Sequence, residues 1–151
     1  MQALPDFNQV TEDLYVGGRL STDDWYILAS LNITVNINLQ AEAADRFSGT
    51  APEVYLWLPT PDFYGPSTET LSVGTRFIHM MHQLGRRVYV HCFSGVGRAP
   101  ALVIAYLVAK GATIDEAVAL VHARHPRTRL SPAQVRLLHE FAGRPEAILP
   151  G

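Results

Sequence analysis

The chain's only cysteine, Cys92, is separated by five residues from an arginine in the run His91-Cys92-Phe93-Ser94-Gly95-Val96-Gly97-Arg98. The apolar Val88-Tyr89-Val90 precedes it, and an apolar segment over residues 101–108 follows. That order places a nucleophile at the end of a buried strand, then a glycine-bearing loop, then an arginine at the opening turn of a helix. A free thiol has a pKa of about 8.5 and is only a few per cent ionised at pH 7, whereas a helix amino terminus and a nearby arginine favour the thiolate. Backbone N–H groups from Phe93 to Arg98 can converge on one concavity and form a nest for an anion. Gly95 and Gly97 permit the dihedrals such curvature needs. The planar fork of Arg98 can grip two oxygens together, which a lysine cannot imitate. A solitary cysteine at a strand end is ordinarily a small core residue. Strand, loop, arginine and helix together reverse that reading and describe a holder for a tetrahedral oxyanion against a thiolate.

The elements that must position this loop follow from pattern. Residues 12–16 read as a short strand ended by Gly17-Gly18. Ser21 or Thr22 can cap a helix to about Leu31, with Asp23 and Asp24 in its favourable first turn. Residues 33–39 alternate and are rich in β-branched side chains, so they read as a strand, and 54–58 as another. Residues 59–66 hold three prolines and a glycine and form a loop. Ser67 opens a helical pattern to about Leu84, with Leu71, Phe77, Ile78 and Met81 on its apolar face. Residues 88–91 are the strand before the cysteine. A helix over 98–110 stops at Gly111. The next begins at Thr113, with Glu116 completing a capping box, and the last at Ser131, with Pro132 in its first position. Strands separated by helices, with helices crowding the end, predict a three-layer α/β domain, a central mostly parallel sheet of four to five strands flanked by helices.

Composition bounds the function. A chain of 151 residues, 48% hydrophobic and 17% charged, fits one ordinary globular domain spanning 1–151. Its net charge of −2 provides no overall positive field for nucleic acid or an anionic membrane. Basic residues concentrate locally in Arg124-His125-Pro126-Arg127-Thr128-Arg129, where they can attract a second phosphate or an acidic peptide, or simply be a solvated segment. No apolar run approaches the roughly 18 residues of a membrane span. Met1 to Asp6 has neither the basic start nor the apolar core of a signal peptide. A lone cysteine cannot form an intrachain disulfide, which fits a reducing interior. The expectation is a cytoplasmic monomer. His79/His82 and His122/His125 are spaced i, i+3 but have no evident third ligand, so no metal and no cofactor is expected.

The motif His91-Cys92-x-x-Gly95-x-Gly97-Arg98 resembles the signature of the cysteine-dependent protein tyrosine phosphatases, and the short chain is most similar to their compact dual-specificity branch. Leu14-Tyr15-Val16-Gly17-Gly18, the strand over 33–39 and the Asp62 loop fall in the order that family has. The resemblance implies that Cys92 takes the phosphoryl group as phosphocysteine. Arg98 and the main-chain N–H groups of Phe93, Ser94, Gly95, Val96, Gly97 and Arg98 would bind the substrate phosphate. His91 would orient the loop and help keep the thiolate ionised. It also implies an acid for the leaving oxygen, a contribution typically worth about 10² to 10⁴ in rate. Asp62, in a proline-stiffened loop thirty residues before Cys92, is the candidate. Asp45, Glu53 and Glu69 are weaker rivals because each falls inside or beside a predicted element.

Two positions depart from the family pattern or divide the reading. Most relatives place a serine or threonine after the loop arginine, where this chain has Ala99. The run Gly97-Arg98-Ala99-Pro100 is similar to that of the phosphatases of regenerating liver and implies slow breakdown of the phosphoenzyme. The chain ends without their carboxy-terminal prenylation cysteine. Gln134 can position the hydrolytic water, as a late glutamine does in some relatives, but Ser131-Pro132-Ala133-Gln134 is also a capping box, and we read it first as the cap. The expected partner is a phosphorylated protein or peptide, by phosphotyrosine and also by phosphoserine or phosphothreonine. The rivals are a phosphatase-like module that binds phosphoprotein without turnover, and a rhodanese-like sulfurtransferase.

Overall fold

The computed structural model describes residues 6–150; residues 1–5, which carry most of the signal-peptide reading, and Gly151 lie outside it. In chain order the elements are β1 (Phe7–Thr11), β2 (Leu14–Gly17), α1 (Trp25–Ser30), β3 (Ile33–Gln40), β4 (Val54–Thr60), α2 (Thr68–Gln83), β5 (Arg87–His91), α3 (Arg98–Ala109), α4 (Ile114–Arg124), α5 (Pro132–Ala142) and a 3-10 turn at Pro145–Ala147. The sheet runs β1-β2-β5-β3-β4. Only the β1–β2 hairpin is antiparallel; β2–β5, β5–β3 and β3–β4 are parallel. The expected three-layer arrangement around a mostly parallel sheet forms, with five strands.

Strand alternation divides the sheet into two unequal faces. Leu14, Val16, Val35, Ile37, Leu39, Val88 and Val90 point into the main core, with residues of α2, α3, α4 and α5. Tyr15 and Tyr89 point the other way, into a smaller cluster with Leu20, Trp25 and Leu28. Ile33 joins that smaller cluster because the β3–β5 register shifts between Ile33 and Val35. Helix α3 is apolar nearly all round because every residue from Arg98 to Tyr106 is buried, as expected of a helix surrounded by other elements.

Strand β2 begins at Leu14 rather than residue 12 and β4 runs on to Thr60, into the stretch read as loop, and two larger differences from the sequence reading concern β1 and α1. Strand β1 escapes it because an edge strand of mixed polarity, with only Val10 fully buried, carries no clean alternation. Helix α1 starts at Trp25 rather than just after Ser21 or Thr22. The Asp24 N–H donates to the Ser21 carbonyl and the Ser21 hydroxyl to the Asp24 carboxylate, so these residues close a turn ahead of the helix. By contrast the capping boxes of α4 and α5 form where expected, as does the Ser67 cap of α2.

Candidate active site

The carboxyl ends of β2, β3, β4 and β5 share one edge of the sheet, the usual place for a ligand in a parallel α/β fold. There β5 delivers His91 and Cys92, and the loop that follows leads into α3 at Arg98. Cys92 is 1% exposed and its N–H reaches the Gly17 carbonyl at 3.4 Å. The loop's carbonyls are held from outside. That of Cys92 faces His91 Nδ1 at 3.1 Å, that of Phe93 accepts from the Arg19 N–H at 3.0 Å, and that of Val96 from the Arg129 N–H at 2.8 Å. In a trans peptide the C=O and N–H point in opposite directions. Each outward carbonyl therefore turns the next N–H, of Phe93, Ser94 and Gly97, toward the concave side. Gly95 has φ +72°, and a Cβ there would stand 2.5 Å from the Gly17 backbone, so the loop's closest approach to β2 demands glycine.

Arg98 is buried and saturated on one edge only. Its Nη1 donates to Glu42 Oε1 (2.7 Å) and to the Thr60 carbonyl (2.9 Å), and its Nη2 to Glu42 Oε2 (2.9 Å). Of the five donors on a guanidinium, Nε–H and one Nη2–H are left, and these two form a second fork. Nε has no hydrogen-bond partner and lies 3.6 Å from Asp62 Oδ1. The Arg98 hydrogen bonds hold the Glu42 carboxyl down to about 2. In return Glu42, ahead of the Cys92 and Asp62 charges, raises the Arg98 guanidinium against the opposing effect of burial.

Below the loop, His91 is fully buried, its ring stacked on Tyr89 at 5.5 Å. Burial pushes the Tyr89 phenol well above its ordinary range; its hydroxyl donates to the Gly18 carbonyl. His91 Nε2 lies 2.7 Å from Asp45 Oδ2, which also accepts from Asn36 Nδ2 at 2.7 Å. The His91 ring thus links the Cys92 carbonyl to the Asp45 carboxylate through its two nitrogens. Glu42 and Asp45 ride on the segment after β3, which the polar face of that strand holds down. Asn38 Nδ2 donates to the Ala43 carbonyl (2.9 Å) and to the Tyr55 hydroxyl (3.0 Å).

The residues singled out from sequence meet at this edge. Asp62, Phe63, Ser94, Val96, Gly97, Arg129, Ser131 and Gln134 line one cleft of about 210 Å³. Larger clefts occur elsewhere, including one of about 630 Å³ between α4 and α5, but no residue of the 92–98 loop lines them. Asp62 is exposed at the cleft, its Oδ1 accepting from the Phe63 N–H at 2.9 Å. Gln134 completes the α5 capping box through Oε1, and its amide also packs on Gly97, where a Cβ would meet Nε2 at 2.8 Å. The rival carboxylates have other partners: Asp45 is under His91, Glu53 pairs with Arg86, and Glu69 sits in the first turn of α2. Ala99 is buried as the second residue of α3. Of the histidine pairs, His82 lies between the Tyr106 hydroxyl and the Asp13 carbonyl, and His125 is fully buried. Among the described residues no cluster of three or more His, Cys, Asp or Glu could hold a metal. Sequence reasoning missed Glu42 altogether; the one signal for it was the polar alternation Asn36, Asn38, Gln40 on an otherwise apolar strand.

Residues 14–144 match the family model described as dual specificity phosphatase, catalytic domain. The chain belongs to the dual specificity phosphatase family. This phosphatase domain is 36% identical over 90 residues to phosphatidylglycerophosphate phosphatase PTPMT2 of Arabidopsis thaliana, covering 58% of this chain and 40% of that protein. It is 29% identical over 126 residues to dual specificity protein phosphatase 1 of Mus musculus, covering 82% of this chain and 33% of that one. It thus spans less than half the length of either relative. A mouse putative dual specificity phosphatase, solved as a zinc tungstate complex, superposes with a TM-score of 0.82 at 21% identity over 94% of this chain and 89% of that one, a likeness of fold. No helix among the described residues is long and apolar enough to cross a membrane.

Proposed function

We propose that residues 1–151 form one catalytic domain, a cytoplasmic monomer needing no metal or cofactor, that hydrolyses phosphate monoesters of proteins through a phosphocysteine on Cys92. The observation that carries the reading is the unpaired Nε–Nη2 fork of Arg98, beside a loop whose N–H groups turn inward. That fork and the N–H groups of Phe93 to Arg98 bind the equatorial oxygens, and phosphoryl transfer needs little beyond such positioning and charge stabilisation. Cys92 Sγ attacks phosphorus as the ester P–O bond breaks, and Asp62 gives its proton to the leaving oxygen. Water then attacks the phosphocysteine, Asp62 takes the water's proton, and the thiolate departs. Gln134, packed on Gly97 beside that cleft, is placed to steady the water. Ala99, in the loop variant resembling the phosphatases of regenerating liver, offers no hydroxyl to the departing thiolate, so this second step is slow.

Exposed Phe63 at the cleft and exposed Phe93 on the loop suit an aromatic phosphoester without requiring one. This supports dual specificity toward phosphotyrosine and phosphoserine or phosphothreonine. The identity to a phosphatidylglycerophosphate phosphatase favours a second reading, a phospholipid substrate. The absence of lysine between Cys92 and Arg98 supports the first.

The test is p-nitrophenyl phosphate hydrolysis by wild type, Cys92→Ser, Asp62→Ala and Ala99→Ser, followed by phosphopeptides and phosphatidylglycerophosphate vesicles. Cys92→Ser should be inactive, and retained activity would end the proposed mechanism. Asp62→Ala should lower kcat by about 10² to 10⁴ and flatten the basic limb of its pH profile. Wild type should show a burst of about one equivalent before slow turnover, and Ala99→Ser should relieve it. Faster turnover of the vesicles than of the peptides would establish the lipid reading instead.

A further inference from the structure

Gly95, at the crest of the phosphate-binding loop, is the residue whose freedom most endangers the cradle. With φ +72° and no side chain, it has no group of its own to fix the peptide joining it to Val96. Its carbonyl is held by a side chain from a distant part of the chain. His125, at the carboxyl end of α4 and fully buried, places Nε2 2.7 Å from the Gly95 carbonyl and Nδ1 2.6 Å from Asn8 Oδ1 on β1. A carbonyl only accepts, so Nε2 is the donor to Gly95, and the Asn8 amide, which offers an oxygen at one end and an N–H at the other, pairs with Nδ1. The segment beyond is closed on itself. Thr128 donates to the His125 carbonyl through N–H (3.0 Å) and Oγ1 (2.7 Å), and the Arg129 N–H then reaches the Val96 carbonyl at 2.8 Å. One strap thus grips two consecutive carbonyls of the loop, the first by a side chain and the second by backbone.

We propose that His125 is a positioning residue for the phosphate site, a role that rests on the phosphatase reading above. By holding the Gly95 carbonyl outward it fixes the Val96 N–H toward the bound phosphate, because the two groups of one trans peptide point in opposite directions. Asn8 in turn fixes the ring, so the β1 edge strand contributes to anion binding without touching the anion. The basic segment 124–129 then serves the site through one buried imidazole and a backbone N–H.

Tungstate binding by calorimetry in the Cys92→Ser protein, with p-nitrophenyl phosphate kinetics in the otherwise wild-type enzyme, tests this. His125→Leu should weaken tungstate binding by about 10- to 100-fold and lower kcat/KM at least as much, the scale of losing one oriented donor to an oxyanion. His125→Gln, whose amide N–H can stand where Nε2 stands, should restore both to within about threefold. Folded His125→Leu with unchanged tungstate affinity would overturn the proposal, as would His125→Gln losing as much as His125→Leu. Should His125→Leu fail to fold, Asn8→Ala decides: a several-fold weaker tungstate affinity supports the proposal, and an unchanged one refutes it. Failure of the underlying reading shows separately, as wild type without Cys92-dependent turnover.

Discussion

Glu42 shows how much an exposed, motif-free residue can decide. Its carboxylate takes one edge of the Arg98 guanidinium and leaves the other edge for phosphate. Arg98 was legible from the sequence because its spacing from Cys92 is itself the motif, whereas Glu42 lies 56 residues away and meets it only through the fold. A separation of 46 residues likewise hid the place of Asp45 under His91. The pairing has a pH signature. The folded-state pKa of Glu42 is lowered from 4.5 to about 2, so its contribution to stability is present above pH 4.5 and lost as pH falls from there toward 2. Its side chain is 46% exposed, so solvent screening makes the contribution smaller than a buried pair would give. Glu42→Gln should therefore lose less Tm than wild type between pH 5 and pH 2.5. Parallel declines would show that the pair adds nothing to folding.

At the scale of elements, legibility follows the range of the forces involved. Helices α4 and α5 were readable because capping boxes are local, and β3 because alternation is local too. The edge strand β1 was not, since its pairing with β2 defines it more than its own pattern does. Ser131 was legible as a cap and hidden as a tether. Its hydroxyl accepts from the Gln134 N–H and donates to the Phe63 carbonyl at 2.5 Å, tying the Asp62 loop to α5. Phe63 has φ +67°, a left-handed conformation uncommon for a bulky residue, and the tether helps hold it there. Ser131→Ala should cost about 1 kcal/mol for the lost cap. With Asp62 as the proposed acid, the looser loop should also lower kcat/KM, which reports phosphoryl transfer to Cys92, and more for phenyl phosphate than for p-nitrophenyl phosphate, whose better leaving group needs less protonation. Ser131→Thr should preserve both properties. An equal loss on the two substrates would confine Ser131 to stability.

For the molecule as a whole, the site is where distant parts of the chain are joined. Gly17 at the end of β2 and Arg19 after it, Glu42 after β3, Asp62 after β4, the Cys92–Arg98 loop and the strap from His125 to Arg129 all meet at one edge of the sheet. Unfolding any of these contributors opens the phosphate cradle, so an anion bound there opposes unfolding of the whole domain. A ligand at 100 times its Kd adds about 2.7 kcal/mol to stability, and in a domain of this size each kcal/mol raises Tm by about 2–4 °C. Saturating tungstate should thus raise the Tm of the Cys92→Ser protein by roughly 5–10 °C in one cooperative transition. Arg98→Met in that background removes the free fork and should abolish most of the shift. A shift that survives Arg98→Met would place the anion outside the cradle. Stabilisation of only part of a biphasic melt would show that the elements around the site do not unfold together.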